Sequence, residues 1–263
     1  MTQPLPAPTF DELHAPRSGE VVDFISDLHL SEDTPRGFDA WARYMGSTSA
    51  DAVIILGDLF EAWVGDDSRH SGFEARCAEV LLAAASTRSV ALMVGNRDFL
   101  VGSALLTACA VTQLADPAVL VLGDERTLLT HGDALCIDDV EYQQFRSLVR
   151  SPSWQTEFLA LPLPERRTRA RQMREQSTRR QKDRPTHPGF DVDPGGAIAW
   201  MRAANTPVLI HGHTHRPASE TLAPGRVRHV LSDWELDHAP TPRGEVLRWQ
   251  RSGITRLPLQ QPP

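Results

Sequence analysis

The stretch VVDFISDLHL, residues 21–30, decides the fold. Val21, Val22, Phe24 and Ile25 make a short apolar run of the kind that favours a strand. That run leads directly into Asp27 and His29. In extended chain, residues i and i+2 point the same way, so Asp27 and His29 can grip one ion together. The same design returns in AVIILGD (52–58), VALMVGNRD (90–98), LLTHGD (128–133) and VLIHGHTH (208–215). Each is an apolar run that ends in Asp, Asn or His. In α/β folds, sites gather at the carboxyl ends of strands. Loops that all deliver metal-ligand residue types to one rim predict both an α/β core and a metal centre.

Helical patterns lie between these runs. Phe73, Cys77, Val80, Leu81 and Ala84 are spaced for one helix face over 73–85. Residues 195–203 predict another helix, stopped before Pro207. The stretches 226–231 and 245–249 read as hairpin strands. The alternation predicts two sheets with helices outside them. Residues 1–19 are rich in Pro and polar side chains and read as a loose lead-in. Residues 138–184 interrupt the pattern: they are polar, helical in character and contain no convincing strand. Within 166–184 the basic residues far outnumber the acids Glu175 and Asp183, although the whole chain of 263 residues carries a net charge of −7.

Composition narrows the classes. At 41% hydrophobic and 23% charged, the chain is globular, not disordered or fibrous. Runs such as Val80–Ala85 and Ala118–Leu122 are too short to span a bilayer. The first twenty residues lack a basic start and an apolar stretch, so no secretory leader is expected. Cys77, Cys109 and Cys136 form no CxxC pair and suit a reducing compartment. The acidic balance argues against nucleic acid as a partner. Lys182 is the single lysine among 27 basic residues, so an arginine at any one position is weak evidence of a guanidinium-specific role.

The ligand types carry further meaning. His29, His131, His211, His213 and His215 all fall inside the strand-end segments, and none of the cysteines does. Asp, Asn and His together suit Mn²⁺, Fe²⁺ or Zn²⁺ in a five- or six-coordinate site, not a structural cysteine zinc. One shared Asp would hold two ions roughly 3.5–4 Å apart, as in two-metal hydrolases. Gly57 and Gly132 permit tight turns beside the ligands.

The order DxH, GD, GN, H and GHxH, from about Val21 to Pro217, resembles the calcineurin-like metallophosphoesterases. The resemblance implies a four-layer αββα sandwich. It also implies that Asp27, His29, Asp58 and His215 hold one metal and that Asp58, Asn96, His131 and His213 hold the other, with two Mn²⁺ as the expected pair. His211 is expected to make no metal bond. Many members carry a His after the Asn; here that position is Arg97, which removes that proton donor and supplies a cation able to grip phosphate. With this departure, FISDLHL (24–30), GDLFEAWVGDD (57–67), GNRDFL (95–100), HGDALCIDD (131–139) and HGHTHRP (211–217) are similar to the UDP-2,3-diacylglucosamine diphosphatase family of lipid A synthesis.

That resemblance implies a core over 20–137 and 185–255, with a helical cap inserted over 138–184. Arg174 and Ser177, in MREQS (173–177), match cap residues that contact substrate, and Asp139 matches an acid that binds the glucosamine. Lys182 and Arg184 both remain open for a further basic contact. Asn96, Arg97 and His213 are expected against the phosphoryl group, with Asp58, Asn96 and His131 as the catalytic set. The implied reaction is metal-activated attack of hydroxide on the α-phosphorus of a nucleotide lipid, at the cytoplasmic face of the inner membrane. A monomer associated peripherally with that membrane is expected. Asp98 is expected either to orient His131 or Arg97 or to sit at a helix N-terminus, and Asp66 and Asp67 stay unassigned. Phe145, Leu148, Trp154 and Phe158 are candidates for an acyl groove or for ordinary core. Two other classes stay open: a metallophosphodiesterase for another nucleotide, and a metal-binding protein without catalysis.

Overall fold

The computed structural model describes residues 8–14, 21–182 and 190–259. Two six-stranded sheets face each other. The first runs β12-β11-β2-β3-β4-β5, with β2 Val22–Ile25, β3 Ala52–Leu56, β4 Ser89–Met93, β5 Thr112–Leu114, β11 Glu245–Gln250 and β12 Gly253–Pro258. The second runs β1-β6-β7-β8-β10-β9, with β1 Asp11–His14, β6 Ala118–Leu122, β7 Glu125–Thr130, β8 Val208–His211, β9 Ala218–Ala223 and β10 Arg226–Val230.

Period-2 alternation sorts the strand side chains into layers. Phe24, Ile54, Leu56 and Met93 face the other sheet, where they meet Leu120, Leu129 and Ile210. Ile25, Val53, Ile55 and Leu92 face outward, against helices α1 Pro35–Ser47, α2 Gly72–Ala85 and α3 Ser103–Ala108. Behind the second sheet, Val119, Leu128 and Leu209 pack on Ala197, Trp200 and Met201 of α7 Pro194–Ala203. These strands are apolar on both faces because both faces are covered. Burial of each such Leu, Ile or Phe stabilises the fold by about 1.5–3 kcal/mol. The expected αββα sandwich is the observed fold.

Several local expectations need correction. Residues 11–14 form a strand within the presumed lead-in; β1 is an exposed edge strand parallel to β6, and its polar DELH carries no apolar signal. The segments 226–230 and 245–250 are both hairpin strands, but each has its own partner in a different sheet: β10 pairs with β9, and β11 with β12. Strand β12 also continues past residue 255. The three cysteines are buried and free.

The inserted segment is helical throughout its described part: α4 Val140–Val149, α5 Pro152–Leu159 and α6 Leu163–Lys182. Asp139 caps α4 by accepting from Tyr142 N–H at 3.2 Å, and Ser151 caps α5. Arg166 of α6 is buried and donates to Leu161 O at 2.9 Å and to Asp67. Asp67 is therefore an anchor for the inserted helices. Asp66 has a separate task, accepting from Trp63 Nε1 and from the N–H groups of Gly102 and Leu105 around the start of α3. Phe158 belongs to the core and stacks on Trp154 with ring centroids 4.8 Å apart, while Phe145 and Leu148 stay exposed. Among the described residues, no helix is long and apolar enough to cross a membrane.

Candidate active site

Strands β2, β3 and β4 are parallel neighbours, as are β7 and β8, so each set ends on one edge. The loops leaving these ends carry Asp27, Asp58, Asn96, His131, His213 and His215, and His211 closes β8. Asp27, His29, Asp58, His213 and His215 all adopt left-handed backbone, with φ between 50° and 66°. Such φ values are uncommon outside glycine and cluster at functional sites. Glycines make room for them. A Cβ on Gly95 would lie 2.1 Å from Asp58 Oδ1, and one on Gly212 would lie 2.3 Å from Asp27 Oδ2.

The side chains converge. Asp27, His29 and His215 bring ligand atoms within 4.8 Å of one another, and so do Asp27, Asp58 and His131. His29 Nε2 faces His215 Nε2 at 3.2 Å. The Asn96 amide lies 2.9 Å from His131 Nε2 and 2.8 Å from His213 Nδ1. Asp27 Oδ1 is buried and lies 3.3 Å from His215 Nε2 without a hydrogen bond to it. Buried lone pairs facing one another with too few protons between them are costly unless a cation joins them. The donor set therefore fits divalent metal ions, and its mix of carboxylate, amide and imidazole with no thiolate suits a transition metal.

The electrostatics carry the same sign. Burial works against protonating His131, but Asp58, Asp27 and Asp133 outweigh it and push its pKa up to about 9. His213 goes down to about 4, through burial first and then the charge of His131. Burial alone would raise Asp27, yet His215, His131 and His29 hold it below the usual carboxylate range. His211, also buried, is lowered to about 4 chiefly by burial; its Nδ1 sits 2.8 Å from Gly212 O.

Around this centre stand residues the sequence left unread or misread. Asp98 neither orients His131 or Arg97 nor starts a helix. It accepts from the N–H groups of Gly95 at 2.7 Å, Leu59 at 2.8 Å and Asp58 at 3.3 Å, lacing the Asp58 loop to the Asn96 loop. Burial, then the neighbouring Asp58, raises it to about 6. Asp133, two residues beyond His131, accepts from Tyr142 OH at 2.5 Å and Arg146 Nε at 2.8 Å. Arg150 Nη2 donates to Gly95 O at 2.9 Å. Helix α4 is thus docked on the ligand loops, and the Tyr142 ring lies 6.0 Å from His213. Asp233 Oδ2 sits 3.5 Å from His215 Nδ1 and is held by Arg243. Asp133 itself stands in a legible segment, directly after His131-Gly132, whereas its partner Tyr142, and Arg150 and Asp233, carry no motif signal.

The expected substrate contacts divide. Arg97 N–H donates to Asp58 Oδ1 at 2.8 Å, and its guanidinium lies 3.8 Å from Asp58 Oδ2. Arg174 of α6 reaches the ligand edge, where Nε donates to Glu61 Oε1 at 2.7 Å. Ser177 is exposed on the same helix. Asp139 serves as the α4 cap noted above. Lys182 is the last residue of α6, and Arg184 lies outside the described residues.

The family model for Calcineurin-like phosphoesterase matches residues 21–217. A Bordetella parapertussis protein named UDP-2,3-diacylglucosamine hydrolase is 42% identical over 236 residues, covering 87% of this chain and 91% of the relative. A Ralstonia nicotianae protein of the same name is 43% identical over 266 residues, covering 96% and 98%. Among solved structures, an archaeal phosphodiesterase aligns over 91% of this chain and 99% of its own at 13% identity, with a TM-score of 0.46.

Proposed function

Since the chain belongs to the calcineurin-like phosphoesterase family, we propose that it hydrolyses the diphosphate bond of UDP-2,3-diacylglucosamine, the compound its relatives are named for. The products are UMP and 2,3-diacylglucosamine 1-phosphate, a step of lipid A synthesis. The observation that carries this reading is the placement of the inserted helices. Arg150 and Arg174 bring cap cations to the rim where Asp27, Asp58, Asn96 and the histidines converge. A small phosphoester needs no such cap, whereas a diphosphate joined to a sugar and acyl chains does.

Asp27, His29, Asp58 and His215 would hold one ion, and Asp58, Asn96, His131 and His213 the other. Two Mn²⁺ suit this set, so Mn²⁺ is expected to restore a chelated enzyme where Ca²⁺, which prefers oxygen-only sites, does not. When bound, such a pair supplies Lewis acidity, making a nearby water more acidic and drawing charge from phosphoryl oxygens. The protein's own contribution is orientation. Asn96 and His131 fix the α-phosphoryl group, and Arg97 adds a guanidinium beside it. Arg174 and Ser177 take the sugar phosphate, Asp139 the glucosamine, and Lys182 or Arg184 supplies a further basic contact. Residues 138–184 act as a cap on a core of 20–137 and 185–255. Exposed Val140, Leu148 and Leu159, with the exposed Arg167, Arg169, Arg171 and Arg179 of α6, suit the cytoplasmic face of an anionic inner membrane, where the protein associates peripherally.

Bond position tests the reading. Hydrolysis in ¹⁸O-labelled water is expected to place the label in UMP, because the α-phosphoryl group lies at the ligand rim and the sugar phosphate leaves toward the cap. Label in the lipid phosphate would reverse the substrate's direction, and no turnover of this lipid at all would sink the substrate assignment. Ser177→Ala is expected to cost roughly two- to tenfold in kcat/KM on the nucleotide lipid, as for one neutral hydrogen bond. It should leave a small generic phosphodiester unaffected; an equal loss on both would assign Ser177 to folding.

A further inference from the structure

We propose that Glu61 is a positioning residue that couples the inserted helices to the metal centre, holding His29 with one carboxylate oxygen and Arg174 with the other. The proposal rests on the reading of His29 as a metal ligand. Backbone pairing sets Glu61 in place. The loops after β2 and β3 run side by side, with Leu28 N–H on Asp58 O at 2.9 Å, Leu30 N–H on Leu59 O at 2.9 Å and Glu61 N–H on Leu30 O at 3.1 Å. This lacing carries Glu61 to the outer side of His29. There Glu61 Oε2 lies 3.2 Å from Nδ1, an ion-pair distance without hydrogen-bond alignment, and Nδ1, which has no hydrogen-bond partner, is the ring nitrogen turned away from His215, whose Nε2 faces His29 Nε2. A histidine that binds a cation through one nitrogen needs its other nitrogen held to fix the ring's tautomer and direction.

The opposite histidine of the same cluster has a matching arrangement. Asp233 Oδ2 stands 3.5 Å from His215 Nδ1, and Arg243 grips Asp233 at 2.8 and 2.6 Å. Both rings are thus backed by a carboxylate, and each carboxylate by an arginine. The difference lies in where the arginine comes from. Arg243 belongs to the core, in the loop before β11, whereas Arg174 comes from α6, across 113 residues of chain. An exposed ion pair would count for little. This one is only partly exposed, with side-chain exposures of 34% for Glu61 and 26% for Arg174, and it ends on a ring nitrogen. The position of α6 therefore bears on how firmly His29 is aimed, and an anion that draws Arg174 away releases Glu61.

Metal affinity, measured with Mn²⁺ alone by chelator competition on the metal-stripped full chain, tests this without any substrate. Glu61→Gln is expected to weaken binding by about 10- to 100-fold. Arg174→Ala should weaken it several-fold, and the double variant should be no worse than Glu61→Gln alone. Thermal melts check that each variant is folded, and Arg174→Ala, on the surface of a cap helix, gives a second route if Glu61→Gln is not. Wild-type affinity in Glu61→Gln overturns the proposal. So does an Arg174→Ala effect that is absent, or that persists undiminished in the Glu61→Gln background. His29→Ala separates the two readings: if it weakens Mn²⁺ binding and Glu61→Gln does not, only the coupling fails. If His29→Ala leaves binding intact, the ligand assignment fails and the coupling with it.

Discussion

Asp58→Ala is expected to hold neither ion tightly and to lose more than about 10³-fold in turnover, beyond what removal of a single oxyanion donor costs. Asp58 is buried, and its left-handed backbone aims the carboxylate into the cluster with Asp27 and His131. Its Oδ1 accepts from Arg97 N–H, so its removal also loosens the loop that carries Asn96 and Arg97. His29→Ala, by contrast, should weaken one ion and spare the other. Metal content by mass spectrometry, read beside turnover, decides the matter. Two tightly bound ions and near-normal turnover in Asp58→Ala would remove it from the bridging position. Asp27 lies in both ligand clusters, so Asp27→Ala would then be the variant that strips both.

Asp98→Ala should be the most damaging change among residues that touch neither metal nor substrate. Two short hydrogen bonds, from Gly95 and Leu59, end on this carboxylate, and all the groups involved are buried apart from water. Each backbone N–H left unpaired costs about 1–3 kcal/mol, so a loss of about 3 kcal/mol in urea unfolding is expected. Turnover should fall as well, because the Asp58 and Asn96 loops lose their common tie. Asp98→Asn keeps one acceptor oxygen and should recover part of the stability. A stability change under about 0.5 kcal/mol in Asp98→Ala, the range of an ordinary surface substitution, would mean that water or another acceptor replaces it.

These two aspartates mark the boundary of what the sequence discloses. Asp58 is legible because it ends an apolar run, as do Asp27, Asn96, His131 and the 211–215 histidines; the chemistry stands at, or within a few residues of, a strand end each time. The inserted helices are legible through the same contrast, since 138–184 lacks such runs. Asp98 stands in a recognisable segment, yet its partners are backbone N–H groups, which leave no trace in residue types. Glu61 carries no motif signal, and Arg174 is legible only as a cap residue; their meeting depends on a fold that brings together positions 113 residues apart. Strand β1 is silent for another reason. An exposed edge strand buries too little to need an apolar pattern, so DELH looks like linker. Helix α1 lies outside the helices expected from the sequence, although Phe38, Trp41 and Met45, all buried, stand at helical spacing behind Pro35.

The first sheet is stitched from both ends of the chain, and this bears on how the protein is made. Strand β11 lies against β2, and Arg248 grips Asp23 with two nitrogens, at 2.7 and 2.8 Å, over a separation of 225 residues. Closing so long a loop is entropically costly, and folds dominated by such pairings form slowly. During synthesis, β2 leaves the ribosome with one edge of backbone N–H and C=O groups that has no partner until β11 has been translated. Asp27 and His215 likewise cannot meet before β8 is in place. The cluster of Asp27, His29 and His215 is therefore assembled only after β8 has been made, later than that of Asp27, Asp58 and His131. A polypeptide stalled before β11 would present an open strand edge, the kind that draws chaperones or aggregates.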